Sequence, residues 1–117
     1  MEQIYPELDQ LISEMADGDS EFKSQLTLAI HQGLEELKEK YAEGSTEKDD
    51  HKIQQIRHKL KPTLMMFELT QIIDELQAGK EIIESEGFDC ADFKLHFQRL
   101  NEKLDVAIAR VYKLIQE

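Results

Sequence analysis

The sequence predicts an all-α protein, an antiparallel four-helix bundle preceded by a short leader helix. Helix-forming residues (Ala, Leu, Glu, Lys and Gln) dominate, and only five glycines and two prolines interrupt 117 residues. Apolar residues recur at helical spacing in each segment, and no segment alternates as a strand does. A chain of this length has room for one hydrophobic core, so we expect a single domain over residues 1–117.

The sequence of the N-terminal third of the chain predicts two helices. The leader should run from Pro6 to about Ala16, because proline suits a first helical turn. An Asp-Gly-Asp turn follows, and Asp19 or Ser20 can cap the next helix. That helix should extend to about Glu43, where a Gly-Ser-Thr segment is expected to end it. Its apolar stripe is Phe22, Leu26, Ile30, Leu37 and Tyr41.

Three further helices follow in the same way. The third should begin near 47–50 and end at 66 or 67, and the fourth should run from about Thr70 to Glu86. Asp89 is expected to cap the last helix. The buried face of the fourth helix should be Leu69, Ile72, Ile73, Leu76 and Ile83. That of the last should be Phe93, Phe97, Leu100, Leu104, Ile108, Val111 and Ile115.

Charge and composition exclude several classes of function. The net charge of −11 disfavours nucleic acid and anionic membrane surfaces as general partners. Cys90 is the sole cysteine, so no internal disulfide can form. The N-terminus is acidic and lacks a signal-peptide core, and the longest apolar run, 64–67, is too short to cross a bilayer. We therefore expect a cytoplasmic protein.

The third helix carries the candidate site. At about 100° per residue, Ile53, Ile56, Leu60, Leu64 and Phe67 share a narrow arc that must face the core. His58 points about 160° away from that arc and should face solvent. Its neighbours on the outward face are His51, Gln54, Gln55, Lys61, Pro62 and Met65.

Two features make this face unusual. Lys52, Arg57, Lys59 and Lys61 form a basic island in an acidic chain, and Pro62 and Met65 stand where a solvated helix would carry charges. Such a surface suits an anionic partner. We expect partner docking on Gln54, Gln55, Arg57, Lys59, Pro62 and Met65.

The chemistry of this face favours a phosphoryl carrier. An ordinary histidine titrates near pH 6.5, so a neutral imidazole offers a nucleophilic lone pair near physiological pH without a general base. Phosphoryl transfer depends mainly on positioning and charge neutralisation. Lys61 lies one helical turn beyond His58 and can reach a phosphoryl group on its ring.

The stretch Ile53-Gln-Gln-Ile-Arg-His-Lys-Leu-Lys61 resembles the histidine-containing phosphotransfer (HPt) domain, whose hallmark is His-x-Leu-Lys-Gly on a bundle helix. Asp19-Ser-Glu-Phe22 matches the usual opening of the preceding helix, and the resemblance covers about residues 19–115. It implies that His58 accepts a phosphoryl group and that Lys61 helps to hold it.

The resemblance also implies the partners. They would be a response-regulator receiver domain, which brings the Mg²⁺, and a hybrid histidine kinase. The chain itself would be a monomeric carrier with no bound cofactor and no kinase activity of its own.

The sequence departs from the HPt pattern at two glycines, which are Pro62 and Glu68 here. Pro62 lacks the N–H that would bond to the carbonyl of His58 and should kink the helix. A kink could open the face in place of glycine, which is the interpretation we favour, or the site could be impaired. The alternative function is therefore a transfer-incompetent bundle that acts as a non-covalent interaction module.

Metal sites and hydrolytic chemistry find little support. His51 shares the face of His58, but no further His or Cys lies on that helix, so we expect no metal site. The segment from Asp17 resembles a calcium loop but has Phe22 where glycine is required. No nucleophile elbow or glycine-rich phosphate loop occurs.

Overall fold

The structure, a computed structural model, describes residues 8–116. They form five α-helices: α1 (Leu8–Ala16), α2 (Ser20–Glu47), α3 (Asp50–Met66), α4 (Thr70–Ser85) and α5 (Ala91–Gln116). No strand occurs within residues 8–116, and the all-α prediction is confirmed. Pro6, the predicted start of the leader helix, lies outside the described residues.

The start of α2 agrees with the sequence and its end does not. The Asp19 carboxylate caps the helix by accepting the Phe22 N–H over 3.0 Å. The predicted end near Glu43 is wrong, because the helix continues through Gly44 to Glu47. A Cβ at Gly44 would lie 2.6 Å from Cγ1 of Ile53. This glycine therefore allows α2 and α3 to approach closely and does not end the helix.

The ends of α3 are well defined. Asp49 caps its start by accepting the Lys52 N–H over 3.2 Å. Pro62 lies inside the helix, which continues to Met66. In the turn to α4, Glu68 has a φ of 55°, in the left-handed region that favours glycine. The Leu69 N–H bonds to the carbonyl of Leu64 over 2.9 Å and closes this turn.

The cap of α5 differs from the prediction. Cys90 Sγ accepts the Phe93 N–H at 3.3 Å, so the cap is Cys90 and not Asp89. The reason is register: α5 begins at Ala91, which places Cys90 in the capping position. Asp89 instead pairs with Lys48 Nζ at 2.9 Å and ties the end of α2 to the start of α5.

The helices pack in a bundle-like arrangement. α2 and α4 each contact both α3 and α5, and α1 lies on α2. Lys52 pairs with Glu43 and Lys59 pairs with Glu36, so α2 and α3 run in opposite directions. The core formed by the four long helices comprises Ile30, Leu34, Leu37, Tyr41, Ile53, Ile56, Leu60, Leu64, Phe67, Leu69, Ile72, Leu76, Phe93, Leu100, Leu104, Ala107 and Val111.

Two predicted core residues are exposed. Phe22, in the first turns of α2, is 43% exposed, and Ile115, at the end of α5, is 39% exposed. The reason is helix length: α2 and α5 have 28 and 26 residues, whereas α3 and α4 have 17 and 16. α1 packs on α2 and is tied to the end of α5 by an Asp9–Arg110 ion pair.

Within residues 8–116, no helix has both the length and the apolar character needed to cross a bilayer.

Candidate functional site

The outward face of α3 has the register that the sequence predicts. Ile53, Ile56, Leu60 and Leu64 are buried, and the His58 side chain between them in sequence is exposed. Lys61, one turn further along, is exposed as well. The imidazole is therefore open to another molecule.

His58 and Lys61 line one groove between α3 and α4. Its volume is about 150 Å³, and its remaining lining residues are Arg57, Leu64, Ile73, Leu76, Gln77 and Lys80. No carboxylate belongs to this lining. The apolar floor comes from the core edge of both helices, and the polar groups come from residues that flank it.

A second, more open depression lies on the other side of His58. It is lined by His51, Gln54, Gln55, His58 and Lys59. His58 is common to this depression and to the groove. The imidazole therefore stands between two concave surfaces.

Five of the six residues predicted to dock a partner are exposed. They are Gln54, Gln55, Lys59, Pro62 and Met65. Met65 is 58% exposed, and its neighbour Met66, which the sequence analysis did not single out, is 55% exposed. Two flexible apolar side chains at the end of α3 enlarge the apolar part of this surface.

Two of the four cations of the predicted basic island pair with carboxylates of α2. Lys59 is exposed, but its Nζ lies 2.8 Å from Oε2 of Glu36. Lys52 is half-buried and lies 2.9 Å from Oε1 of Glu47, and this hydrogen bond raises the pKa of Lys52. These two long side chains reach back to carboxylates on the adjacent helix, so they do not present free charges on the outward face.

Arg57 also departs from the prediction. It is half-buried and not fully outward, and it lines the groove beside α4. Its Nη1 is buried and has no hydrogen-bond partner. The reason is register: Arg57 follows the buried Ile56 and lies at the border of the core arc, so its side chain folds towards the groove.

A buried polar network lies inside the protein, and sequence reasoning missed it. His96 Nδ1 lies 2.8 Å from Glu75 Oε2, and His96 Nε2 lies 2.7 Å from the Tyr41 hydroxyl. Lys103 Nζ bonds to Glu75 Oε1 at 2.8 Å. A Cβ on Gly79 would lie 2.2 Å from His96 Nε2, so only glycine leaves room for the ring. The network joins α2, α4 and α5.

The environment sets the charges of this network. Burial lowers the pKa of His96 and outweighs the opposing hydrogen bond from Glu75. Burial raises the pKa of Glu75, but its bonds to Lys103 and His96 prevail and hold the pKa below its ordinary value. Burial also raises the pKa of Tyr41. A neutral His96 can therefore accept the Tyr41 O–H and donate its Nδ1–H to an ionised Glu75.

A signal for this network is present in the sequence. Glu75 and His96 occupy buried stripes of α4 and α5, beside Leu76 and near Phe93. A carboxylate and an imidazole at core positions of two helices are expected to pair, because buried polar groups need partners.

Within the described residues, no three or more His, Cys, Asp or Glu side chains come close enough together to hold a metal ion.

Comparison of the chain with protein-family models, curated proteins and solved structures finds no match. The resemblance to HPt domains therefore rests on the sequence alone and stays a prediction.

Proposed function

We propose that this protein is a histidine phosphotransfer protein of a phosphorelay, which carries a phosphoryl group on His58. The single observation that carries the proposal is the exposed imidazole of His58, which shares a carboxylate-free groove with Lys61. A nucleophilic ring with an adjacent ammonium is sufficient for a carrier when the partner supplies the metal and the second reacting group.

The transfer step needs little from this chain. A ring nitrogen of neutral His58 forms a bond to phosphorus while the bond from phosphorus to the partner's aspartate oxygen breaks. The aspartate leaves as a carboxylate, and the imidazole proton stays on the other ring nitrogen. Lys61 then offsets the negative charge of the phosphoryl group. This chain is thus a carrier without kinase activity, and Mg²⁺ belongs to the partner.

The partner we propose is a receiver domain, alone or within a hybrid histidine kinase. Its docking surface on this chain comprises Gln54, Gln55, Lys59, Pro62 and Met65, with Arg57 contributing from the groove. The exposed Met65 supports an apolar contact around the reacting ring. In this proposal the chain is a monomeric, cytoplasmic, antiparallel four-helix bundle with α1 as its leader.

A label-transfer experiment tests the proposal. The protein is mixed with a ³²P-labelled receiver domain and Mg²⁺, and the expected product is an acid-labile, base-stable adduct on this chain. His58→Gln should abolish the adduct. His51→Gln is the matched control, because His51 lies on the same exposed face and should leave transfer intact. Label that stays on the receivers tested, or transfer that survives His58→Gln, would contradict the proposal.

A second candidate function is a non-covalent interaction module. It is favoured by Pro62 and Glu68, which replace the glycines of the HPt pattern, while Met65 and Met66 stay exposed. In that case a receiver should bind without label transfer, and binding should be indifferent to His58→Ala. Met65→Ser should weaken binding under either function, so it reports on the surface and not on the chemistry.

A further inference from the structure

The cations of this acidic protein divide into two groups. Seven of the 14 Lys and Arg side chains form ion pairs within residues 8–116, for example Lys59 with Glu36. Of the seven that form none within this range, Arg57, Lys61 and Lys80 line the groove beside His58, and the other four are Lys23, Lys94, Arg99 and Lys113. Three of these seven cations therefore lie together around one concave surface.

Arg57 adds a second, independent observation. Its Nη1 is buried and lacks any hydrogen-bond partner in the part of the chain that the structure describes. A partly desolvated guanidinium without an anion is unfavourable, because it has lost water and gained no charge partner. An anion in the groove would offset the cost of burying this guanidinium by attracting its positive charge. This holds whichever guanidinium nitrogen donates to the anion.

The polar lining fits one class of ligand. It comprises only cations, an imidazole and the amide of Gln77, whose Nε2 bonds to Glu81 at 3.1 Å. A volume of about 150 Å³ holds a small ion but not a nucleotide. Arg57 and Lys61 lie on α3 and Lys80 lies on α4, so the three positive charges flank the groove from two sides.

We propose that this groove binds a free tetrahedral oxyanion of the phosphate class, with Arg57 and Lys80 as its principal ligands and Lys61 as the third cation. The site does not require phosphoryl transfer to His58, because the ion is held by charge and hydrogen bonds without a covalent bond. The protein would then respond to free phosphate as well as to a phosphorylated partner.

The test is an NMR titration of the full chain with inorganic phosphate at constant ionic strength, with chloride as the reference ion. Saturable shifts are expected in α3 and α4 at residues lining the groove. Lys80→Gln and Arg57→Gln should each weaken binding about tenfold, the effect of losing one charge-assisted hydrogen bond. Lys94→Gln, on exposed α5 surface, is the control and should change binding less than twofold.

The outcomes separate this proposal from phosphoryl transfer. Lys80→Gln should weaken phosphate binding about tenfold but leave label transfer to His58 intact, whereas His58→Gln should abolish label transfer. Transfer without phosphate binding would overturn the oxyanion site alone, and phosphate binding without transfer would overturn the carrier function alone. Shifts that never saturate, or an equal loss in Lys94→Gln and Lys80→Gln, would mean that phosphate only screens the surface. Lys80→Gln keeps the test valid if Arg57→Gln fails to fold.

Discussion

His96 Nδ1 lies 2.8 Å from Oε2 of Glu75, and this contact joins α4 to α5 inside the protein. Both side chains are buried, and Tyr41 and Lys103 occupy their remaining bonding positions. Because every member of this network has a partner, the loss of one leaves another buried polar group unsatisfied. The stability of the fold should therefore depend strongly on these side chains and on the proton of His96.

The first prediction concerns pH. His96 has a lowered pKa in the folded protein, so below about pH 6.5 the unfolded chain binds a proton that the folded chain excludes. The free energy of unfolding should thus fall as pH falls below that value, by at most about 1.4 kcal/mol per pH unit. Glu75, whose pKa is also lowered, should add a further loss below about pH 4.5. Urea unfolding at a series of pH values measures both losses of stability, the one from His96 and the one from Glu75.

Two variants show which residue causes this fall in the free energy of unfolding. His96→Gln should remove the loss of stability that begins below about pH 6.5, whereas His51→Gln, at an exposed position, should retain it. A wild-type stability that stays flat as pH falls below that value would show that the imidazole is not held neutral.

The second prediction concerns Gly79. In Gly79→Ala the new Cβ would meet His96 Nε2 at 2.2 Å and the Tyr41 hydroxyl at 2.6 Å, so the network must shift. We expect a loss of about 1–3 kcal/mol in the free energy of unfolding, although alanine is the better helix former. Glu84→Ala, on the exposed face of α4, should change it by less than about 0.5 kcal/mol. Equal stability of wild type and Gly79→Ala in urea would argue against the tight packing of the ring.

The third prediction concerns the turn between α3 and α4. Glu68 adopts a φ of 55°, which is unfavourable for a residue with a side chain. Glu68→Gly should raise the free energy of unfolding by about 0.5–1 kcal/mol, since the relief of strain exceeds the added freedom of the unfolded chain. Glu84→Gly, inside α4, should lower it by about 1 kcal/mol. If both substitutions destabilise equally, the left-handed conformation is not present in solution.

The fourth prediction concerns Pro62. It lies inside α3 and cannot donate to the carbonyl of His58, whereas alanine can. Pro62→Ala should raise the free energy of unfolding by up to about 3 kcal/mol, measured by thermal and urea unfolding. The same variant tests the role of proline in transfer. A slower label transfer would support a proline that opens the face, and a faster one would support an impaired site.

The sequence predicts the helices and the exposure of His58 because both follow from apolar spacing. The same reasoning failed at Gly44 and Asp89, where tertiary packing and a one-residue shift in the start of α5 decide the outcome. Spacing along one helix also cannot show which carboxylates the adjacent helix offers, and so the pairing of Lys59 with Glu36 was not predicted. Contacts between helices, such as Glu75 with His96, depend on how two helices are aligned with each other. The apolar spacing within one helix does not determine that alignment.

The order in which the helices contact one another has a consequence for the speed of folding. α1 packs on α2, α2 on α3, α3 on α4 and α4 on α5, so most helix–helix contacts join successive helices; the exceptions are α2 with α5 and the Asp9–Arg110 ion pair of α1 with α5. Such local contacts close short loops and are typical of rapid folding. Stopped-flow refolding should therefore be complete within milliseconds, and substitutions at the Lys38–Asp105 pair should chiefly accelerate unfolding if α5 docks last.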